Sequence, residues 1–245
     1  MTVLVTGASR GIGHAIARQT AEAGANVAAQ FHQHGDPVDA LAAQYSGRVF
    51  GIRADLAERD GCALLFEDTV NRYGAVDVLV NNAGVAIPIA ANAAPEEWSR
   101  AWDLTMHVNL RAPELLCRLA IAHFLRRGDG RIINIASRAA FRGDTLSYMT
   151  YAASKAGLVA LTRSIARHCG KDGIRAFVVA PGFVRTDMAK PFIEEYGENH
   201  LLDGLAADRL TEPDDVAPTV VFLASGKADH ATGSTIDINA ASYVR

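Results

Sequence analysis

Short β-branched runs alternate with helical patterns from one end of the chain to the other, and nothing else in the sequence limits the fold as strongly. Val3–Val5, Asn26–Phe31, Val49–Arg53 and Val76–Val80 read as strands, as do Arg131–Ala136, Arg175–Ala180 and Thr235–Asn239. Helical patterns fill the gaps: one ending at Ala23, then Val38–Gln44, about Glu58–Tyr73, Pro95 to Arg127, Tyr148–His168 and Pro213–Ala224. Strand–helix–strand alternation requires right-handed crossovers, which build a mostly parallel sheet covered on both faces. An α/β protein with a seven-stranded sheet is therefore expected. No repeat, low-complexity tract or linker divides the chain, and its 49% hydrophobic content suits one domain over residues 1–245. The stretch from Gly182 to about Leu210 has no regular pattern and is expected to form a lid, over about 183–212.

A net charge of −3 argues against a nucleic-acid binder, which needs a basic face. Cys62, Cys117 and Cys169 are too far apart for a metal-ligand pattern and odd in number, so they read as small buried hydrophobes in a reducing compartment. The N-terminus runs into a strand without the cationic flank of a signal peptide, and no apolar run approaches the ~18 residues of a membrane span. The expectation is a soluble cytoplasmic protein with no membrane, nucleic-acid or metal partner.

The first strand leads into Gly7, Gly11 and Gly13, within Val-Leu-Val-Thr-Gly-Ala-Ser-Arg-Gly-Ile-Gly at residues 3–13. Glycine permits a tight turn and lets backbone amides approach a diphosphate, which a helix N-terminus also favours. In the first βαβ unit this turn points to a dinucleotide and a Rossmann-type, doubly wound sheet; Ser9, Arg10 and Ile12 belong to the same turn. The second strand ends in Gln30-Phe31-His32, with no acid before Asp36. A carboxylate at that point would bind the adenosine ribose of NAD(H). Its absence, with Arg10 and His32 available for a 2′-phosphate, favours NADP(H); NAD(H) stays possible through Gln30 or Asp36. Asp55, followed by Leu56, is placed either for an adenine amino group or as a helix cap.

Tyr151 and Lys155 are four residues apart, which stacks them on one helix face at about 6 Å of rise; Tyr148 is too far along the axis to feel the lysine. A nearby ammonium is expected to lower the tyrosine pKa from ~10 and make it a proton donor near neutral pH. Two surface side chains are the alternative for this pair taken alone.

Taken in order, Gly7-x3-Gly11-x-Gly13, Asn81-Asn82-Ala83-Gly84, Ser137, Tyr151-x3-Lys155 and Pro181-Gly182 resemble the short-chain dehydrogenase/reductases, in their short single-domain branch, from Thr2 to about Val244. The resemblance implies that Tyr151 is the acid/base, that Lys155 binds the nicotinamide ribose and tunes the tyrosine, and that Ser137 binds the substrate oxygen. It implies that Asn109 marks a helix irregularity and holds a water joined to Lys155. Asn82, Ala83 and Gly84 would line the ribose and nicotinamide side; Pro181, Gly182, Val184 and Thr186 would meet the carboxamide end, with Thr186 as helix cap the alternative. The implied reaction is hydride transfer between a nicotinamide and a carbonyl or secondary alcohol. A homotetramer or homodimer formed through Trp102–Leu125 and Tyr151–Arg167 is also implied.

Two features bear on substrate. Arg138 and Arg142 follow Ser137 and are suited to a carboxylate or phosphate, or else to solvent or an interface. Phe183, Met188, Phe192 and Tyr196 give the lid an apolar ceiling, or simply pack a short helix. Reduction of 3-oxoacyl groups on acyl carrier protein would need a basic docking face. Arg126, Arg127 and Lys171 are available for one, although Asp172 stands where similar reductases tend to carry a basic residue. An NAD-linked alcohol or sugar dehydrogenase and a non-catalytic nucleotide sensor complete the alternatives.

Overall fold

The computed structural model describes residues 1–58 and 60–244, with the side chains of Pro191, Glu195, Tyr196 and His200 outside the description. The Tyr196 part of the lid ceiling and the terminal Arg245 thus lie outside the described residues. Among the described residues seven strands form one sheet in the order β3-β2-β1-β4-β5-β6-β7. They are β1 (Thr2–Val5), β2 (Asn26–Phe31), β3 (Val49–Arg53), β4 (Val78–Asn81), β5 (Gly130–Ile135), β6 (Ile174–Pro181) and β7 (Thr235–Ile238). Every pairing is parallel.

Among the described residues ten α-helices connect them: α1 (Gly11–Glu22), α2 (Asp36–Gln44), α3 (Gly61–Tyr73), α4 (Pro95–Met106), α5 (Ala112–Arg127), α6 (Ala139–Arg142), α7 (Met149–Cys169), α8 (Lys190–Tyr196), α9 (Glu198–Leu202) and α10 (Pro213–Ala224). Strand parity divides the core. Val3 and Val5 pack towards α1, α2 and α10, while Leu4 and Leu79 pack towards α3, α5 and α7. Both layers are apolar, so the strands read as nearly continuous hydrophobic runs.

Three elements differ from the sequence expectation. The helix expected from about Glu58 starts at Gly61, because residues after Asp55 turn tightly: Asp55 Oδ1 accepts the Ala57 amide at 2.9 Å. The lid is not irregular throughout, since α8 and α9 lie within it and its base is closed by a bridge between Val184 and Thr211. The segment expected as one helix from Pro95 to Arg127 is interrupted by a π-helical turn at His107–Arg111.

A buried polar chain fixes α7 on the sheet. Asn81 Nδ2 donates to Asn134 Oδ1, Asn134 Nδ2 donates to Thr162 Oγ1, each at 2.8 Å, and the Thr162 hydroxyl donates to the Leu158 carbonyl at 2.7 Å. It locks the helix that carries Tyr151 and Lys155 against β4 and β5.

Candidate active site

The carboxyl ends of the strands open into one cavity of about 620 Å³. It extends along the switch point between β1 and β4, where parallel sheets bind ligands. The glycine turn forms one end. Gly7 has a φ of +67°, and a Cβ on Gly13 would lie 2.1 Å from the Gly7 carbonyl oxygen and 2.3 Å from Asn82 Nδ2. Only glycine lets α1 approach β1 and β4 this closely. No side chain caps α1 at Arg10, and its first turn holds no acid, so its N-terminal amides and dipole remain available to an anion. The turn, the bare helix end and the length of the cavity fit a dinucleotide.

Gln30 is expected as the place of a missing acid or, for NAD(H), as a partner of the ribose. It is 2% exposed and braces the turn: Oε1 accepts the Gly7 amide at 2.8 Å and Nε2 donates to the Ala54 carbonyl at 2.7 Å. Both ends of its amide are therefore engaged with backbone, and its expected alternative role at a ribose gives way to a structural one. Asp36 begins α2 and does not line the cavity, whereas Gln33 and His34 do. His32 Nε2 lies 3.2 Å from Asp55 Oδ2, and Arg10 Nη1 lies 3.8 Å from Asp187 Oδ2. Asp55 thus closes a tight turn instead of the expected helix cap, since α3 starts only at Gly61, and it also faces His32.

The other end of the cavity holds Ser137, Tyr151 and Lys155. Ser137 lies two residues beyond the end of β5, and its Oγ accepts the Ala139 amide at 3.1 Å. Lys155 is 4% exposed and donates from Nζ to the Ile135 carbonyl at 2.8 Å. Burial pulls its pKa down to about 8. Tyr151 departs from expectation. Burial pushes its pKa above the usual phenol range, and a hydrogen bond with Ser137 opposes that. Lys155 Nζ lies 5.9 Å from the tyrosine ring centroid, and it is burial, not the lysine, that sets the direction of the tyrosine's shift.

Asn109 stands behind the cavity in the π-helical turn and is fully buried. Its Oδ1 accepts the Val85 amide and its Nδ2 donates to the Val85 carbonyl, each at 2.8 Å, and Nδ2 also reaches Ser154 Oγ at 3.1 Å. It therefore ties the loop after β4 to α7, next to Lys155. The expected helix irregularity is present. Thr186 donates to the Val184 carbonyl at 3.3 Å and packs against Gly11, so it does not cap α8.

Every other site residue expected from sequence lines this cavity, including Leu56, Ala83, Gly84, Pro181, Gly182 and Met188. Asp144 and Tyr148 were not expected there; both come from the segment between α6 and α7, which only the fold returns to the site. Arg126 and Arg127 end α5, and Lys171 precedes β6, so all three lie at the amino ends of the strands. Arg127 is also paired with Asp77 at 2.6 Å. On a single chain these cations do not flank the cavity. No helix is long and apolar enough to cross a membrane among the described residues.

A doubly wound parallel sheet with a glycine-turn cavity that ends on a buried serine, a half-buried tyrosine and a buried lysine defines a nucleotide-dependent oxidoreductase. The chain belongs to the short-chain dehydrogenase/reductase family: a family model described as enoyl-(acyl carrier protein) reductase matches residues 7–240. It is 35% identical to a 3-oxoacyl-[acyl-carrier-protein] reductase of Staphylococcus epidermidis over 99% of both chains. It is 36% identical to the 2-dehydro-3-deoxy-D-gluconate 5-dehydrogenase of Bacillus subtilis, over 97% of this chain and 92% of that one. A Beutenbergia cavernae crystal structure, described provisionally as an NAD(P)-dependent gluconate 5-dehydrogenase with bound NADP, superposes with a TM-score of 0.89 at 34% identity, covering 98% and 95% of the chains.

Proposed function

We propose that the protein interconverts a carbonyl compound and its secondary alcohol with NADP(H), using Tyr151 as the acid/base. The observation that carries this reading is the meeting of Ser137, Tyr151 and the buried Lys155 in the cavity that the glycine turn opens, with Lys155 Nζ 5.9 Å from the Tyr151 ring centroid. When bound, the cofactor supplies or accepts the hydride.

The chain's own residues supply position and proton. Gly7, Gly11 and the bare start of α1 receive the diphosphate, with Ser9 and Ile12 beside them. Asn82, Ala83 and Gly84 face the nicotinamide side, and Pro181, Gly182, Val184 and Thr186 close over it. Arg10 and His32 stand where a 2′-phosphate would lie, with no carboxylate on β2 to repel it. NADP(H) is bound by a relative of the same fold, which adds support.

During reduction, Ser137 holds the substrate oxygen and Tyr151 passes its proton to it. A phenol held above its usual range keeps that proton until an oxyanion develops. The Lys155 ammonium then stabilises the phenolate, and oxidation reverses these steps. Asn109 positions the Val85 loop and α7, and a water held beside it would join it to Lys155.

Relatives named for 3-oxoacyl-[acyl-carrier-protein] and for 2-dehydro-3-deoxy-D-gluconate support a carbonyl or hydroxyl compound as substrate. A homotetramer or homodimer through α4, α5 and α7 is part of the reading, as is a cytoplasmic location. The test is a fluorescence titration with NADPH and NADH, followed by a screen of carbonyl compounds for wild type and Tyr151→Phe. Preference for NADPH, and turnover abolished by the substitution, are expected. Preference for NADH, or turnover retained in Tyr151→Phe, would refute the proposal.

A further inference from the structure

The residue after Ser137 is a charged side chain taken almost entirely out of water. Arg138 is 9% exposed, and its Cζ sits 4.8 Å from the centre of the Phe183 ring, which in turn packs on Phe192 at 4.8 Å. Its backbone amide donates to the Pro181 carbonyl at 2.9 Å, fixing the residue between β5 and β6. Among the described residues its guanidinium makes no hydrogen bond and no close ion pair. A ring face offsets part of the desolvation of a guanidinium but leaves its donors without oxygen partners. A buried arginine in that condition is costly unless something completes it.

The same cavity wall carries a second guanidinium. Arg142 follows one helical turn later on α6 and also lines the cavity. Burial of Arg138 itself, with the Arg142 charge second, pulls the Arg138 pKa down to about 10, and Asp144 opposes this. Asp144 accepts the Thr145 amide through Oδ1 at 2.8 Å and makes no ion pair with either arginine within 4.0 Å. The wall beside Ser137 is therefore net positive.

We propose that Arg138, with Arg142 one helical turn further along the same wall, binds a carboxylate on the substrate itself, so that the preferred reactants are oxo acids and the corresponding hydroxy acids. This rests on the oxidoreductase reading above. The position narrows the chemistry. Adjacent Cα atoms are ~3.8 Å apart and an arginine side chain spans several ångströms more, so the carboxylate lies only a few carbons from the reacting carbonyl. The planar fork matches a carboxylate in two parallel hydrogen bonds. Phe183 ties that recognition to the lid, because the ring that holds the guanidinium belongs to the segment over the cavity.

The test compares NADPH consumption with a series of 2-, 3-, 4- and 5-oxo acids against their methyl esters. Wild type should favour at least one acid over its ester by tenfold or more in kcat/KM. Arg138→Met should lose about 100-fold on that acid, mainly through KM, a loss typical of one bidentate charged pair. Arg138→Lys, which keeps the charge and loses the fork, should fall between. NADPH titration of each variant verifies that the cofactor end is intact. Esters turned over as well as acids would overturn the inference while Tyr151-dependent turnover leaves the oxidoreductase reading standing. Turnover of neither series, with no NADPH binding, would overturn both.

Discussion

Lys155→Met should make the protein more stable and leave it inactive. Burial pulls the lysine from 10.5 to about 8, so carrying its charge in the folded state costs about 3 kcal/mol at ~1.4 kcal/mol per tenfold change. Methionine fills similar space without that charge. It forfeits the bond to the Ile135 carbonyl, worth about 1 kcal/mol, leaving a net gain of about 2 kcal/mol. For a chain of 245 residues that raises Tm by about 4 °C. The pH dependence identifies the cause. The folded-state pKa lies below the unfolded one, so the penalty is full below pH 8 and fades as pH rises from about 8 towards 10.5, where the unfolded chain also loses the proton. Calorimetry of both proteins at pH 7 and near pH 10 should show the advantage at the lower pH and little of it at the higher. A variant that melts below wild type at pH 7, or an equal difference at both values, refutes the reasoning.

Gln30→Ala leaves the Gly7 amide and the Ala54 carbonyl without partners and should cost about 2–4 kcal/mol, with weaker NADPH binding; urea melts and a fluorescence titration check both. Gly13→Ala places a methyl 2.1 Å from the Gly7 carbonyl and should abolish NADPH binding and lower Tm, whereas a neutral effect would mean that the turn is not tightly packed. Burial raises the thiols of Cys62 to about 11 and Cys117 to about 12 and lifts Cys169 as well, so at pH 8 all three stay protonated and enclosed. Mass spectrometry after iodoacetamide should find them unmodified in the folded protein and fully alkylated in urea.

What could be read from the residues followed the range of the interactions involved. Val3–Val5 and Asn26–Phe31 were legible as strands because β-branched runs between turns carry their own signal. The Tyr151–Lys155 spacing was equally plain, since it depends only on helix geometry. The direction of the tyrosine's pKa was not, because it depends on how much water the folded cavity removes. Gln30 looked like a gap in a ribose site. Its bonds to Gly7 and Ala54 exist only once β1, β2 and β3 lie side by side. The late start of α3 has the same origin: a Cβ on Gly61 would lie 1.9 Å from the Asp55 carbonyl, a closeness that no local propensity reports. The short lid helices α8 and α9 are too brief for helical periodicity to emerge from the flanking turns.

The wide turn at His107–Arg111 has a consequence for how this segment can change length. A π-helical ring holds one more residue than an α-helical one, which advances everything after it by about 100° around the axis. Leu116, Ala120 and Phe124 face the core only with that phase shift in place. Deleting one residue there would close an ordinary helical ladder, the locally easier structure, yet would swing this apolar stripe out of the core and withdraw Asn109 from Val85 and Ser154. Surface loops of this chain can absorb a residue gained or lost. Between α4 and α5, residue count acts as a rotational setting, and a single indel there disturbs core and site together.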